Sequence, residues 1–265
     1  MEAARLASGT VAVNQKMPNR LTEIFHRWLA PECAGCECRS GSGPFCQPCL
    51  ERLPLNDHAC VRCAEPLIPA APTPALCAHC LTRMPDFDRV LAPLLYAPPV
   101  DASIHALKFR GDLGGARRLA HLLDHSLPDL PPPDVVIPVP LHPSRIRQRG
   151  FNQALEIARA LCAMRGWRLD ARAVKRVLPT RPQLGLTATE RRRNLRHAFA
   201  VQADLAGRRV LIVDDVLTTG ATASALAHAL RKAGAEDITA LAAARTPRNE
   251  ALRHQGAGPP DFSVG

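Results

Sequence analysis

Between residues 88 and 265 the chain alternates short apolar runs with longer stretches of helical period. Val135-Val136-Ile137-Pro138-Val139 and Val210-Leu211-Ile212-Val213 are short, continuous and apolar, the pattern of strands buried on both faces of a parallel sheet. Phe151 to Met164 and Ala221 to Ala233 read as helices, the second closed by Gly234 just past its end. Strand then helix, repeated, predicts an α/β fold with a central parallel sheet flanked by helices. Upstream, residues 1–16 lack periodicity, whereas Leu21, Ile24, Phe25, Trp28 and Leu29 recur at helical spacing, so a helix from Met17, and Met17 as an alternative start, belong to the reading. Residues 251–265 read as a frayed tail.

Composition narrows the class. With 46% hydrophobic and 22% charged residues in 265, a wholly disordered chain is excluded. No apolar run approaches the roughly 18 residues a spanning helix needs, so no membrane insertion is expected. The N-terminus lacks a basic segment, apolar core and cleavage site of a secretory signal, so a soluble, cytoplasmic protein is expected.

Of ten cysteines, nine lie between Cys33 and Cys80, and only Cys162 lies outside. In a reducing compartment this favours metal ligation over disulfides. Four CxxC pairs are present: Cys33/Cys36, Cys46/Cys49, Cys60/Cys63 and Cys77/Cys80. A two-residue spacer lets both sulfurs face one ion, and two such knuckles close a tetrahedral Cys₄ zinc site with no open position, hence a structural role. Eight ligands suffice for two ions; sequential pairing is the simplest arrangement and a crossed one stays open. Cys38 breaks the pattern, either as a spare thiol or as a substitute ligand. Ordinary buried thiols do not explain four regular pairs, and no strand and helix flank any pair as a redox site would require. The organisation expected is an N-terminal extension (1–30), a cysteine module (31–86) with a proline-rich spacer at 66–74, a larger α/β domain (87–250) and the tail (251–265).

The stretch from Val210 to Thr222 sets a buried strand, two acids (Asp214, Asp215), a turn of Thr218, Thr219 and Gly220, and a helix start at Ala221 and Thr222 in sequence. Carboxylates at the carboxyl end of a parallel strand project into a crevice, where they can accept hydrogen bonds from vicinal sugar hydroxyls. The turn offers successive backbone N–H groups and hydroxyls to one point, Gly220 permits close backbone approach, and the helix N-terminus favours an anion. These features suit a ribose 5-phosphate.

This stretch resembles the signature of type I phosphoribosyltransferases. Further motifs are Lys108-Phe109-Arg110-Gly111-Asp112, Pro138 to Pro143, Arg149 to Gln153, Arg176 with Thr180 and Gln183, and Arg191-Arg192-Arg193-Asn194 with Phe199. Together with the cysteine pairs, the chain from about Cys33 to Arg245 resembles the ComF family, which joins an N-terminal zinc module to a phosphoribosyltransferase domain. The resemblance implies that Asp214 and Asp215 bind the ribose hydroxyls of phosphoribosyl pyrophosphate, with Mg²⁺, and that Thr218 to Thr222 hold its 5-phosphate. It places Pro138, Val139 and Pro140 in the pyrophosphate loop, which in this fold class often contains a non-proline cis peptide. Arg176 to Arg196, with Arg176, Gln183, Arg191 and Asn194, resemble the hood that closes over substrate. A role in natural DNA uptake is implied for some members.

Residues 145–199 hold 13 Arg and one Lys against three acids, a balance of +11 beside +10 for the whole chain. A solvated surface, pyrophosphate binding by Arg145, Arg147 and Arg149, and a single-stranded DNA contact are three readings of that charge. Aromatic content of 4% leaves few stacking partners for bases. His142 and Lys108 are the candidate general bases, though no catalytic group stands out. Two function classes follow. The first is transfer of phosphoribose with release of pyrophosphate; the second is a non-catalytic sensor of that donor, or a single-stranded-DNA accessory acting with DNA-uptake proteins.

Overall fold

In a computed structural model that describes residues 32–40, 43–68, 74–178, 195 and 197–248, the alternation becomes a four-stranded sheet. The order is β1 (Arg89–Leu91), β6 (Asp237–Arg245), β5 (Arg209–Leu217) and β2 (Val135–Pro138), every pair parallel. The helices are α1 (Gln47–Glu51), α2 (Ala78–Thr82), α3 (Val100–Arg110), α4 (Leu113–Ser126), α5 (Pro143–Arg149), α6 (Gln153–Arg165) and α7 (Ala221–Lys232). A separate antiparallel ribbon pairs β3 (Val174–Arg176) with β4 (Phe199–Val201). The Met17 helix, the 251–265 tail, Thr180, Gln183, Arg191 and Asn194 lie outside the described residues. No helix among the described residues is long and apolar enough to cross a membrane.

The chain divides into two compact units, Met1–Gln47 and Pro48–Gly265. In the larger one, Val210, Ile212, Ile238, Ala240 and Ala242 join one core cluster with α7 residues Leu226 and Leu230 and with Cys60, Cys63, Cys77 and Cys80. Strand side chains alternate in direction, so Leu211, Val213 and Leu241 face the other way, where α4 and α6 pack on each other and reach the sheet. The last four cysteines thus belong to the core of the α/β unit. Burial of this kind supplies what so small a cysteine module lacks on its own.

Element limits differ from the sequence reading in informative ways. The helix expected over Phe151 to Met164 begins at Gln153, because Asn152 caps it through Ala154 N–H (3.1 Å). The strand expected to end at Val213 runs on to Leu217, because β6 keeps pairing alongside, Asp214 opposite Ala242 and Leu217 opposite Arg245. That partner, Thr239-Ala240-Leu241-Ala242-Ala243-Ala244, is alanine-rich and gives no strand signal in sequence. Small side chains serve there because both faces are covered, and Ala242 to Ala244 are almost wholly buried. Gly234 closes α7 at φ 92°, where a Cβ would meet Ala206 Cα at 3.0 Å.

Candidate functional site

Register places the candidate loops side by side. Pro138, the last residue of β2, pairs with Val213, so the chain leaving β2 runs beside Asp214 at the carboxyl edge of the sheet. Val139 is anchored at both polar ends: its N–H donates to Val213 O (2.8 Å) and its carbonyl accepts from Asn152 Nδ2 (3.0 Å). Val139 therefore fixes the loop's shape and has no free backbone donor for a ligand. Among the described residues the cis peptide is Pro98–Pro99, so the loop after β2 contains none. His142 caps α5, its Nδ1 accepting from Ser144 N–H (3.3 Å) and lying 2.8 Å from Ser144 Oγ.

Asp214 and Asp215, both half-buried, accept the N–H of the next residue, Asp215 N (2.9 Å) and Val216 N (2.6 Å) respectively. Lys108 Nζ comes from α3 to lie 3.1 Å from Asp215 Oδ2. Burial and the neighbouring Asp215 charge push the Asp214 carboxyl up to about 7, against the pull of the Asp215 N–H, Lys108 and Arg176. Burial and the like charge of Arg145 lower Arg176, while Asp214 opposes them. Asp214, Asp215, Lys108, Arg145 and Arg176 therefore form one electrostatic group, drawn from β5, α3, α5 and β3. Arg149 is turned elsewhere, with Nη1 donating to Gln153 Oε1 (3.3 Å) and the guanidinium 6.0 Å from the Phe109 ring centre.

The threonine turn follows directly. Gly220 sits at φ 75° and opens α7, and Thr219 Oγ1 accepts from Ala221 N–H (3.3 Å). Its carbonyls are all engaged. Arg245 Nη1 donates to Leu217 O (2.8 Å) and Thr218 O, and Arg248 Nη2 donates to Thr219 O (2.5 Å). Across a trans peptide the C=O and N–H point in opposite directions. With three successive carbonyls held by guanidinium groups, the N–H groups of Thr218, Thr219 and Gly220 face the other way, just ahead of α7, whose first N–H, that of Ala221, is already taken by Thr219 Oγ1. A run of amides of this kind is a backbone nest of the sort that can accept an anion. A cavity of about 560 Å³ borders the turn, lined among others by Thr219, Gly220, Thr222, Phe87, Arg83 and Arg248. It does not reach the acid pair.

Arg245 is wholly buried, and its Nη2 donates to Glu65 Oε2. The other Glu65 oxygen accepts Arg248 N–H (2.7 Å). Sequence reading misses Glu65, Arg245 and Arg248 altogether. Glu65 reads as an ordinary polar residue between two knuckles, and a buried arginine at a strand end has no sequence signal.

The cysteines assemble as two sets. Sulfurs of Cys60, Cys63, Cys77 and Cys80 lie within 4.8 Å of one another, and all four residues are buried. In the smaller unit Cys33, Cys36 and Cys46 converge within the same limit, with Cys49 at knuckle spacing after Cys46. Sγ separations of 3.5 Å (Cys36 to Cys46) and 3.6 Å (Cys63 to Cys77) are far too long for a disulfide and fit two ligands on one tetrahedral ion with bonds of about 2.3 Å. Both donor sets therefore fit zinc.

The two leading knuckles share one backbone pattern. Glu37 donates to Cys33 O (2.9 Å) and Ala64 to Cys60 O (2.8 Å), both with positive φ, at 62° and 53°. Cys33 N–H reaches Cys38 O (2.6 Å) and Cys60 N–H reaches Glu65 O (2.8 Å). Cys38 thus holds the place of Glu65, closing its knuckle through the carbonyl while the residue itself is exposed.

Residues 146–261 match the family described as Phosphoribosyl transferase domain. The chain is 34% identical over 212 residues to the DNA utilization protein YhgH of Escherichia coli O6:H1, covering 78% of this chain and 92% of that protein. It is 32% identical over 222 residues to the Competence protein F of Haemophilus influenzae, covering 80% and 90% respectively. Among solved structures, a purine phosphoribosyltransferase from Pyrococcus horikoshii aligns at a TM-score of 0.29 and 20% identity, over 57% of this chain and 89% of that one.

Proposed function

We propose, from the premise that the chain belongs to the ComF-like family with a type I phosphoribosyltransferase fold, that it binds phosphoribosyl pyrophosphate with Mg²⁺ and transfers the phosphoribosyl group to a nitrogen nucleophile. The observation carrying this reading is the amide nest at Thr218 to Gly220, directly following Asp214 and Asp215 on one strand. The nest and the start of α7, through Ala221 and Thr222, receive the 5-phosphate. Asp214 and Asp215 accept hydrogen bonds from the two ribose hydroxyls. Arg145 and Arg176 face the pyrophosphate.

In the reaction the C1–O bond breaks, pyrophosphate leaves with the electron pair, and a C1–N bond forms as the nitrogen gives up its proton. Asp214 and Asp215, together with the substrate's own oxygens, would hold Mg²⁺, which would supply charge neutralisation for the departing pyrophosphate. The chain contributes position and charge more than proton transfer: Lys108 is engaged by Asp215, and His142 Nδ1 by Ser144. Exclusion of water falls to the hood that the family resemblance implies for Arg176 to Arg196. Zinc on Cys60, Cys63, Cys77 and Cys80, and on Cys33, Cys36 and Cys46 with Cys49, is structural, since four thiolates leave no open position. A cytoplasmic, reducing setting suits thiols that must remain free to ligate.

The names of the two relatives place them in DNA utilization and competence, and with the +11 balance over 145–199 they favour a second reading, a donor sensor that handles single-stranded DNA. Calorimetric titration with phosphoribosyl pyrophosphate, with and without Mg²⁺, tests the shared core of both readings. Wild type is expected to bind and the Asp214→Ala/Asp215→Ala protein to fail; no heat from wild type refutes it. Pyrophosphate release in a screen of nucleobases, amines and glutamine then selects the enzyme. Tight donor binding without turnover, with salt-sensitive strand binding lost on charge reversal at Arg191 to Arg193, selects the sensor.

A further inference from the structure

We propose that Glu65 is a positioning residue for the phosphate nest, acting through Arg245 and Arg248, so that metal on Cys60, Cys63, Cys77 and Cys80 and anion on Thr218 to Thr222 are energetically coupled. The inference rests on the reading of that turn as the 5-phosphate site. Glu65 lies two residues after the ligand Cys63 and is held by the same knuckle, its carbonyl accepting Cys60 N–H at 2.8 Å. Its carboxylate lies 180 residues from Arg245 in sequence and is bonded to it. Arg245 in turn holds the carbonyls of Leu217 and Thr218, and the Arg248 guanidinium, 3.6 Å from Glu65, holds that of Thr219.

The electrostatics demand the arrangement. A guanidinium with no exposed surface is costly unless a carboxylate and several carbonyls surround it. Glu65 supplies the carboxylate, and the turn supplies the carbonyls. Once those carbonyls point at Arg245 and Arg248, the opposite faces of the same peptides must present their N–H groups outward. The nest is therefore set from behind by a residue of the cysteine knuckle. Losing the metal frees the backbone that carries Glu65, releases Arg245, and lets the carbonyls rotate. Linkage makes the effect reciprocal: an anion on the nest must stabilise the metal on the cysteines.

The test uses the full zinc-loaded chain. Zinc affinity is measured by equilibrium competition with a chromophoric chelator, with and without phosphoribosyl pyrophosphate and Mg²⁺. The ligand is expected to tighten one zinc site by about tenfold in wild type, and to have no such effect in Glu65→Gln at saturating ligand. Unchanged zinc affinity in wild type with ligand bound overturns the proposal, as does tightening that survives in Glu65→Gln. Calorimetry on wild type runs first. If no donor binds, the reading of the site fails and the tie is judged without ligand, by hydrogen exchange at Thr246, whose N–H donates to Leu217 O (3.0 Å). Faster exchange at Thr246 in Glu65→Gln with full zinc content supports the tie, and unchanged exchange overturns it. Should Glu65→Gln lose zinc, the double variant Glu65→Leu/Arg245→Met, which removes both charges together, is read by the same two criteria.

Discussion

Replacing Asp214 with Asn keeps the side-chain volume and removes the charge. In the unliganded fold the Asp214 carboxyl rises from 3.8 to about 7, chiefly through burial and then through the Asp215 charge. At about 1.4 kcal/mol for each pKa step, the ionised group costs the empty protein at most about 4 kcal/mol. Solvent reaching this half-buried residue lowers that to about 2 kcal/mol. Below pH 3.8 the carboxyl is protonated both folded and unfolded, so the cost is absent. It grows as pH rises from there and is complete above about 7. Asp214→Asn is thus expected to raise Tm by about 4–8 °C at pH 8 in a chain of this size, and by almost nothing at pH 3, when unfolding is followed by calorimetry without ligand or Mg²⁺. The same variant is expected to gain no further stability from phosphoribosyl pyrophosphate and Mg²⁺, whereas wild type does. A stability equal to or below wild type at pH 8, or a gain of the same size at pH 3, refutes the argument that this carboxylate is held at a cost for a ligand.

Two further outcomes follow from the loop and the cysteines. Asn152→Ala removes both the cap of α6 and the donor to the Val139 carbonyl, so urea unfolding is expected to show a loss of about 1–2 kcal/mol together with weaker binding of phosphoribosyl pyrophosphate; a change confined to stability would place Asn152 outside the site. Metal analysis is expected to give two zinc ions per chain, unchanged by Cys38→Ser or Cys162→Ser and reduced to one by Cys63→Ser, whereas zinc lost on Cys38→Ser would make that thiol a ligand.

The parts legible in the sequence are those whose chemistry is contiguous. A CxxC spacing fixes two sulfurs on one ion within a single turn of chain, so the pairs announce themselves, as does the run of strand, Asp214-Asp215, threonine turn and helix. The basic character of 145–199 was equally visible, but where its guanidinium groups lie was not: Arg176 feels Asp214, Arg145 lies near Arg176, and Arg149 turns to Gln153 and Phe109. Strand β6 escaped because alanine is tolerated in a strand only where two covered faces demand small side chains, a condition set by the rest of the fold.

The amino-acid sequence by itself therefore determined the four cysteine pairs, the acid pair and the threonine turn, because each is built from neighbours along the chain, while the grouping of those pairs into donor sets came from the fold. Tertiary structure alone decided which distant charges face them: Lys108 against Asp215, and Glu65 against Arg245 across 180 residues. The physical reason is that a buried charge selects its partner through the space left by packing, which no local pattern encodes.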